Sequence, residues 1–352
     1  MRHKLPYILL ILTCAVNTFG QGASLWVEGE KHLKNIRQLS FGGENAEAYF
    51  SFDGKQLTFQ SKRDGNKCDR IYSMNIDGSA VKQVSNGEGR TTCSYFFKGG
   101  KRVIYASTHS GGKDCPPEPD RSKGYVWPVY GDYELYTSKA DGTDIQRLTN
   151  VPGYDAEATV SPDGKKIIFT SERDGDLDLY TMDIDGKNVK RVTSEVGYDG
   201  GAFYSPDSKM IVYRRSTPKT EAEITRYKDL LSHDLVVPTI FEVWVMNADG
   251  SNKRQVTNLA SASFAPFFTP DGKRLIFCTN YFDENKTDRR RQPNFDLALI
   301  NLDGTGLERV TFNGTFDGFP MFSPDGRKLV FASNRNAAKS GETNVFIADW
   351  VN

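Results

Sequence analysis

One short motif recurs six times along this 352-residue chain, and it constrains the fold more than any other feature. It reads SFDGKQLTFQS (Ser51 to Ser61), FKGGKRVIYAS (Phe97 to Ser107), SPDGKKIIFTS (Ser161 to Ser171), SPDSKMIVYRR (Ser205 to Arg215), TPDGKRLIFCT (Thr269 to Thr279) and SPDGRKLVFAS (Ser323 to Ser333). Its third positions, Asp53, Gly99, Asp163, Asp207, Asp271 and Asp325, are spaced 44 to 64 residues apart. A fixed period of about 40 to 50 residues marks a propeller or a solenoid, and longer intervals carry insertions. In most copies Pro fixes φ, Asp-Gly makes a tight turn, and the apolar run after Lys reads as a strand, so the motif is a hairpin.

A second hairpin follows in five units: IYSMNIDGSAVKQVS from Ile71, LYTSKADGTDIQRLT from Leu135, LYTMDIDGKNVKRVT from Leu179, VWVMNADGSNKRQVT from Val243 and LALINLDGTGLERVT from Leu297. Two hairpins make one four-stranded antiparallel blade. The sixth unit stops at VFIADWVN without its outer strand, while Ile36 to Ser40 carries the outer-strand pattern ahead of the first hairpin. The expectation is an all-β, six-bladed β-propeller over residues 35–352, closed by an N-terminal strand that completes the last blade. Closure removes exposed sheet edges.

The SPDGK turn, its short strand, S-x-R-x-G, and the later L-Y-x-M-x-x-D-G-x-x-x-x-R-V-T stretch resemble the repeats of TolB-like propellers. These are related to the non-catalytic propellers of prolyl oligopeptidase-type peptidases. The resemblance covers nearly the whole chain beyond the leader and implies a propeller scaffold. Such scaffolds host many unrelated activities. TolB's own α/β domain has no counterpart expected here, since only residues 21–34 precede the propeller. No G-x-S-x-G elbow is present to seat a serine nucleophile.

Residues 1–20 read as a secretory signal peptide. Arg2, His3 and Lys4 form the basic start, an apolar stretch runs from Tyr7 to Val16, and Thr18-Phe19-Gly20 precedes a cleavage before Gln21. The apolar run is too short to span a bilayer of about 30 Å. Lipoprotein processing at Cys14 is the disfavoured alternative, because Thr13 stands where a small residue is wanted. The expectation is a periplasmic or secreted protein with no transmembrane segment after cleavage. Basic and acidic residues balance at 45 each, so no global field exists to steer a nucleic acid.

Every insertion falls on one face of the expected ring: 109–130, 216–240, 280–294 and 336–343. Loop elaboration on one face of a rigid scaffold is where binding sites form, so this face is the candidate functional surface. Within the second insertion, Thr220 and Glu223 read as a capping box opening a helix, expected to pack over a blade edge rather than to form a lid. Arg289, Arg290 and Arg291 read as a solvated loop, with an acidic partner as the alternative.

Six positions before each turn Asp, the inner strands place Glu47, Cys93, Glu157, Gly201, Ala265 and Phe319 near the decorated mouth of the channel. Arg63, Arg173 and Arg335 close the second strands toward the same face. Carboxylates and guanidiniums around a concave mouth can clamp a charged ligand or a peptide terminus. The competing reading gives the arginines in-blade ion pairs, Arg173 with Asp178 for example, which leaves Glu47 and Glu157 as the better functional candidates. His109 completes the ligand-binding candidates.

One disulfide is expected among Cys68, Cys93 and Cys115, with pairing open. A zinc site from these cysteines and His109 is the sharper alternative, unsupported by any C-x-x-C spacing. Asp174, Asp176 and Asp178 lack the remaining spacing of a calcium loop. The histidines after the leader, His32, His109 and His233, are too few to resemble the metal site of oligogalacturonate lyases. Neither metal nor cofactor is therefore expected. Asn285-Lys-Thr and Asn313-Gly-Thr match glycosylation sequons by chance if the source is bacterial.

The leading functional expectation is an exported, non-enzymatic module, with no catalytic residue assigned, that binds a protein or peptide segment or another ligand at the decorated face. The alternatives are a cell-envelope hydrolase or lyase acting on a glycan or peptide through Glu47 and Glu157, and a regulatory propeller beside a separate hydrolase.

Overall fold

A computed structural model describes residues 25–120, 125–238, 240–288 and 292–352. The leader, its cleavage site and Arg289 to Arg291 lie outside the described residues. Six four-stranded antiparallel sheets stand around an axis, as the repeats predict. Their innermost strands are Glu44–Phe50, Thr91–Phe96, Asp155–Val160, Asp199–Tyr204, Ser263–Phe268 and Asp317–Phe322.

The repeat residues build the turns. In five copies the first hydroxyl (Ser51, Ser161, Ser205, Thr269, Ser323) donates to the turn Asp at 2.6 to 2.7 Å. Each Asp also accepts the backbone N–H two residues on at 3.1 Å. These bonds, the hydroxyl's foremost, hold the carboxylates below their ordinary pKa. The R-V-T signature is equally local. Thr149, Thr193, Thr257 and Thr311 accept the third strand's N–H at 2.8 to 2.9 Å. The preceding Arg147, Arg191 and Arg309 pair with the acids that open those strands, Glu134, Asp178 and Asp296.

Ring closure follows the expected route. Leu33–Gln38 pairs with Asn344–Trp350 as the outer strand of the sixth blade, Leu33 opposite Trp350 and Gln38 opposite Phe346. This closing strand has six residues, whereas the other outer strands have two. A clasp precedes it. Buried Glu30 receives Arg335 at 2.8 Å, and His32 bridges the Val351 carbonyl and Glu308 at 2.7 Å each while stacking on Trp350. Burial works against the Glu308 carboxylate, but Lys31, His32 and Arg274 outweigh it and hold its pKa at about 2. Among the described residues no helix is long and apolar enough to cross a membrane.

Candidate functional site

Each inner strand carries a β-bulge at the same place, where two residues oppose one on the second strand. The residue at the bulge is in every case the one picked from the repeat spacing. Glu47, Cys93, Glu157, Gly201, Ala265 and Phe319 all have φ between 49° and 58°. This left-handed backbone breaks the alternation of the pleat, and all six residues line one cavity of about 530 Å³ at the channel mouth.

Two residues further on, Tyr49, Tyr95, Thr159, Phe203, Phe267 and Met321 close the channel beneath. Tyr49 and Phe203, from opposite blades, meet edge to face at 5.4 Å, and Phe203 meets Phe267 at 5.2 Å. The cavity is therefore a cup with an aromatic floor. Its rim comes from insertions. Trp127–Pro128 from the first insertion pairs with Leu235–Val236 from the second, making a two-stranded ribbon. Trp127 stacks on Phe241 at 5.8 Å and meets Phe264 edge-on at 5.8 Å.

The helix Glu221–Leu231 forms with the expected capping box. Leu230 packs with Val126 and Leu235 behind the ribbon, and the Tyr227 hydroxyl donates to Asp176 at 2.5 Å. No helix residue lines the cup, so the ribbon, and not the helix, reaches the mouth.

Glu157 is fully engaged. One oxygen takes Arg214 Nη2 at 2.5 Å and the Tyr198 hydroxyl at 2.8 Å; the other takes the Thr170 hydroxyl at 2.8 Å and the Gly201 N–H at 2.9 Å. Burial would raise its pKa, but Arg214 outweighs burial and carries it below the ordinary value. Glu47 has the opposite balance. Burial pushes it up to about 7, Cys93 offers only a thiol hydrogen bond, and no arginine pairs with it among the described residues. Two carboxylates on equivalent bulges thus hold different protonation states near neutrality.

The other site candidates lie outside the cup lining. Arg173 binds Asp155, the first residue of its inner strand, at 2.9 Å. The expected Arg173–Asp178 pair does not form, because Arg191 from the outer strand reaches Asp178 first. Arg335 joins Asp317 and Glu30, and Arg63 lies 3.7 Å from Asp64 and over the Tyr72 ring. His109 shares a hydrogen bond with Ser107 at 2.7 Å and sits 4.1 Å from the Tyr136 ring, and burial lowers its pKa. Asp174, Asp176 and Asp178 are drawn apart to Tyr180, Tyr227 and Arg191. Cys68 and Cys115 form a disulfide, which takes two ligands from the zinc alternative, and Cys93 stays free on the cup wall.

Arg214 is the residue that sequence reasoning missed, along with Asp69, Arg90, Tyr198 and Trp127. The signal was a departure from the repeat. The position opposite the first bulge flank holds Gln60, Ala106, Thr170, Cys278 and Ala332 in the other copies, but Arg214 faces Gly200 in the fourth. A Cβ on Gly201 would lie 2.1 Å from Arg214 Nη1, and one on Gly200 2.3 Å from Glu157 Oε2, so the glycine pair makes room for the ion pair.

These features define a six-bladed propeller with a loop-rimmed cup closed at its floor, built from TolB-like repeats. Residues 125–239 match the TolB beta propeller domain family. The chain is 31% identical over 142 residues to the "Protein TolB homolog" of Chlorobium chlorochromatii, covering 34% of this chain and 32% of that protein. It is 23% identical over 307 residues to "Dipeptidyl-peptidase 5" of Porphyromonas endodontalis, covering 84% of this chain and 38% of that one. Among solved structures, the putative TolB of Agrobacterium tumefaciens superposes with a TM-score of 0.60 at 20% identity, covering 90% of this chain and 97% of that chain. The chain spans about a third of the length of the curated TolB homologues it matches.

Proposed function

We propose that this chain is an exported, non-enzymatic binding module that receives a protein segment or other ligand in the cup on its loop-decorated face. The observation that carries this reading is the cup itself: a cavity of about 530 Å³, closed below by aromatic rings and rimmed by inserted loops. Concave, largely apolar sites with a few placed polar groups are what ligands occupy. Glu157 accepts four hydrogen bonds, from Arg214, Tyr198, Thr170 and Gly201, which fix its carboxylate in the wall of the cup. The test is a pull-down from an extract of the source organism with the purified chain from Gln21, compared with a Glu47→Ala, Glu157→Ala double variant. Identical partner profiles refute the cup as the site. Sequencing the N-terminus of the protein from fractionated cells checks export; a start at Gln21 is expected.

A second reading, a hydrolase or lyase acting on glycan or peptide, draws on the split between Glu47, with a pKa of about 7, and Glu157, held ionised. Carboxylates pushed apart in this way suit acid and base roles. Glycan or peptide turnover that vanishes in Glu47→Gln while binding persists would favour it.

A further inference from the structure

Among the described residues, two carboxylates of the cup, Glu47 and Asp69, have no ion pair. Arg214, one of two described arginines in the lining, is spent on Glu157 and covered by the rings of Tyr198, Phe241 and Trp127, at 4.6, 5.5 and 5.8 Å. Arg90 is spent on Glu118 at 2.6 Å. Asp69, beside Arg90, is itself raised in pKa by burial. Glu47 faces Cys93 from the second blade, Glu157 from the third, Arg214 from the fourth and Asp69 at the end of its own blade, with Tyr49 beneath. Of these only Arg214 is cationic, and its partner cancels it. Aromatic side chains, Tyr133, Tyr154, Trp127, Phe264 and Phe319 among them, are prominent in the remaining wall. Ring faces attract cations, and an incoming ammonium offers a half-buried carboxylate a charge-assisted hydrogen bond.

We propose that the cup selects ligands carrying a primary ammonium on an apolar stem, the ammonium on Glu47 and the stem against the Trp127 and Phe264 wall. The inference rests on the reading of the cup as a binding site and gives that site a chemical class. Among the described residues of the lining an anionic group finds no uncommitted cation, and a neutral one leaves Glu47 without compensation. Because the Glu47 pKa is about 7, the empty cup is protonated below neutrality. The arriving ammonium expels that proton, so binding strengthens with rising pH and levels off once Glu47 is already ionised.

The test is calorimetric titration of the full chain with phenethylamine, phenethyl alcohol and 3-phenylpropionate, in buffers of different ionisation enthalpy. The amine is expected to bind at least about tenfold tighter than the alcohol or the acid, and Glu47→Gln to remove that advantage while leaving the alcohol unchanged. Protons are expected to be released at about pH 6 and not at about pH 8.5. Equal binding of alcohol and amine, tighter binding of the acid, or an unchanged amine affinity in Glu47→Gln overturns the ammonium assignment. In those cases the cup survives as a binding site if Trp127→Ala abolishes the binding seen. If none of the three probes binds at millimolar concentration, the ammonium assignment falls, and the outcome of the pull-down alone then decides whether the cup binds anything.

Discussion

Arg214 and Glu157 belong to different blades, so their contact is both an ion pair and a weld across the ring. Their side chains are 7% and 10% exposed, and removing one partner strands a buried charge. Arg214→Met is expected to cost roughly 3 to 5 kcal/mol in denaturant unfolding, with much of the loss recovered by adding Glu157→Gln. Glu47 carries the opposite liability. A carboxyl raised from its ordinary 4.5 to about 7 favours the folded state fully below about pH 4.5, and that contribution is lost as pH rises through 7. Glu47→Gln is therefore expected to match the parent near pH 4 and exceed it near pH 8 by roughly 1 to 3 kcal/mol, read as a flatter stability profile against pH. Glu47 and Glu157 were legible because the repeat numbers them. Their contrasting environments were not, because the deciding residue lies one blade away and about sixty positions along the chain in the case of Arg214.

The elements of this fold are written locally, which is why they could be read. The Ser-x-Asp turns, the R-V-T ends and the capping box each satisfy their hydrogen bonds within a hairpin or a single turn. Thr220→Ala is expected to cost about 1 kcal/mol, seen as faster amide exchange in the first turn of the helix with the blades unchanged. The bulges are another matter. Non-glycine residues such as Glu47 and Phe319 hold left-handed backbone at a cost on the order of 1 kcal/mol each, which no propensity would predict. The ribbon that joins two insertions was equally hidden, since two-residue strands carry no periodic pattern and their partners, Trp127 and Val236, lie in different insertions. The wrong partner for Arg173 has the same origin. Both candidate acids sit at strand starts on one face, and only the outer-strand arginine decides which one is taken.

At the scale of the molecule, the missing sixth outer strand and the surplus strand pattern at the start were enough to predict closure. Deleting residues 25–40 is expected to expose the edge of Asn344–Trp350 and to yield a chain that self-associates and unfolds over a broadened transition; a monodisperse, cooperatively melting truncation would count against the seam as the ring's closure. The direction of that seam has a mechanical meaning. Leu33 lies opposite Trp350, so the segments leaving the seam toward the two chain ends depart from the same end of the pair. Tension between the termini would first load the bonds of Glu30 and His32, and then peel the seam rung by rung instead of shearing all rungs at once. A closed circle can thus be opened at one seam by a modest pull, and a tether at each end would make the propeller a fuse.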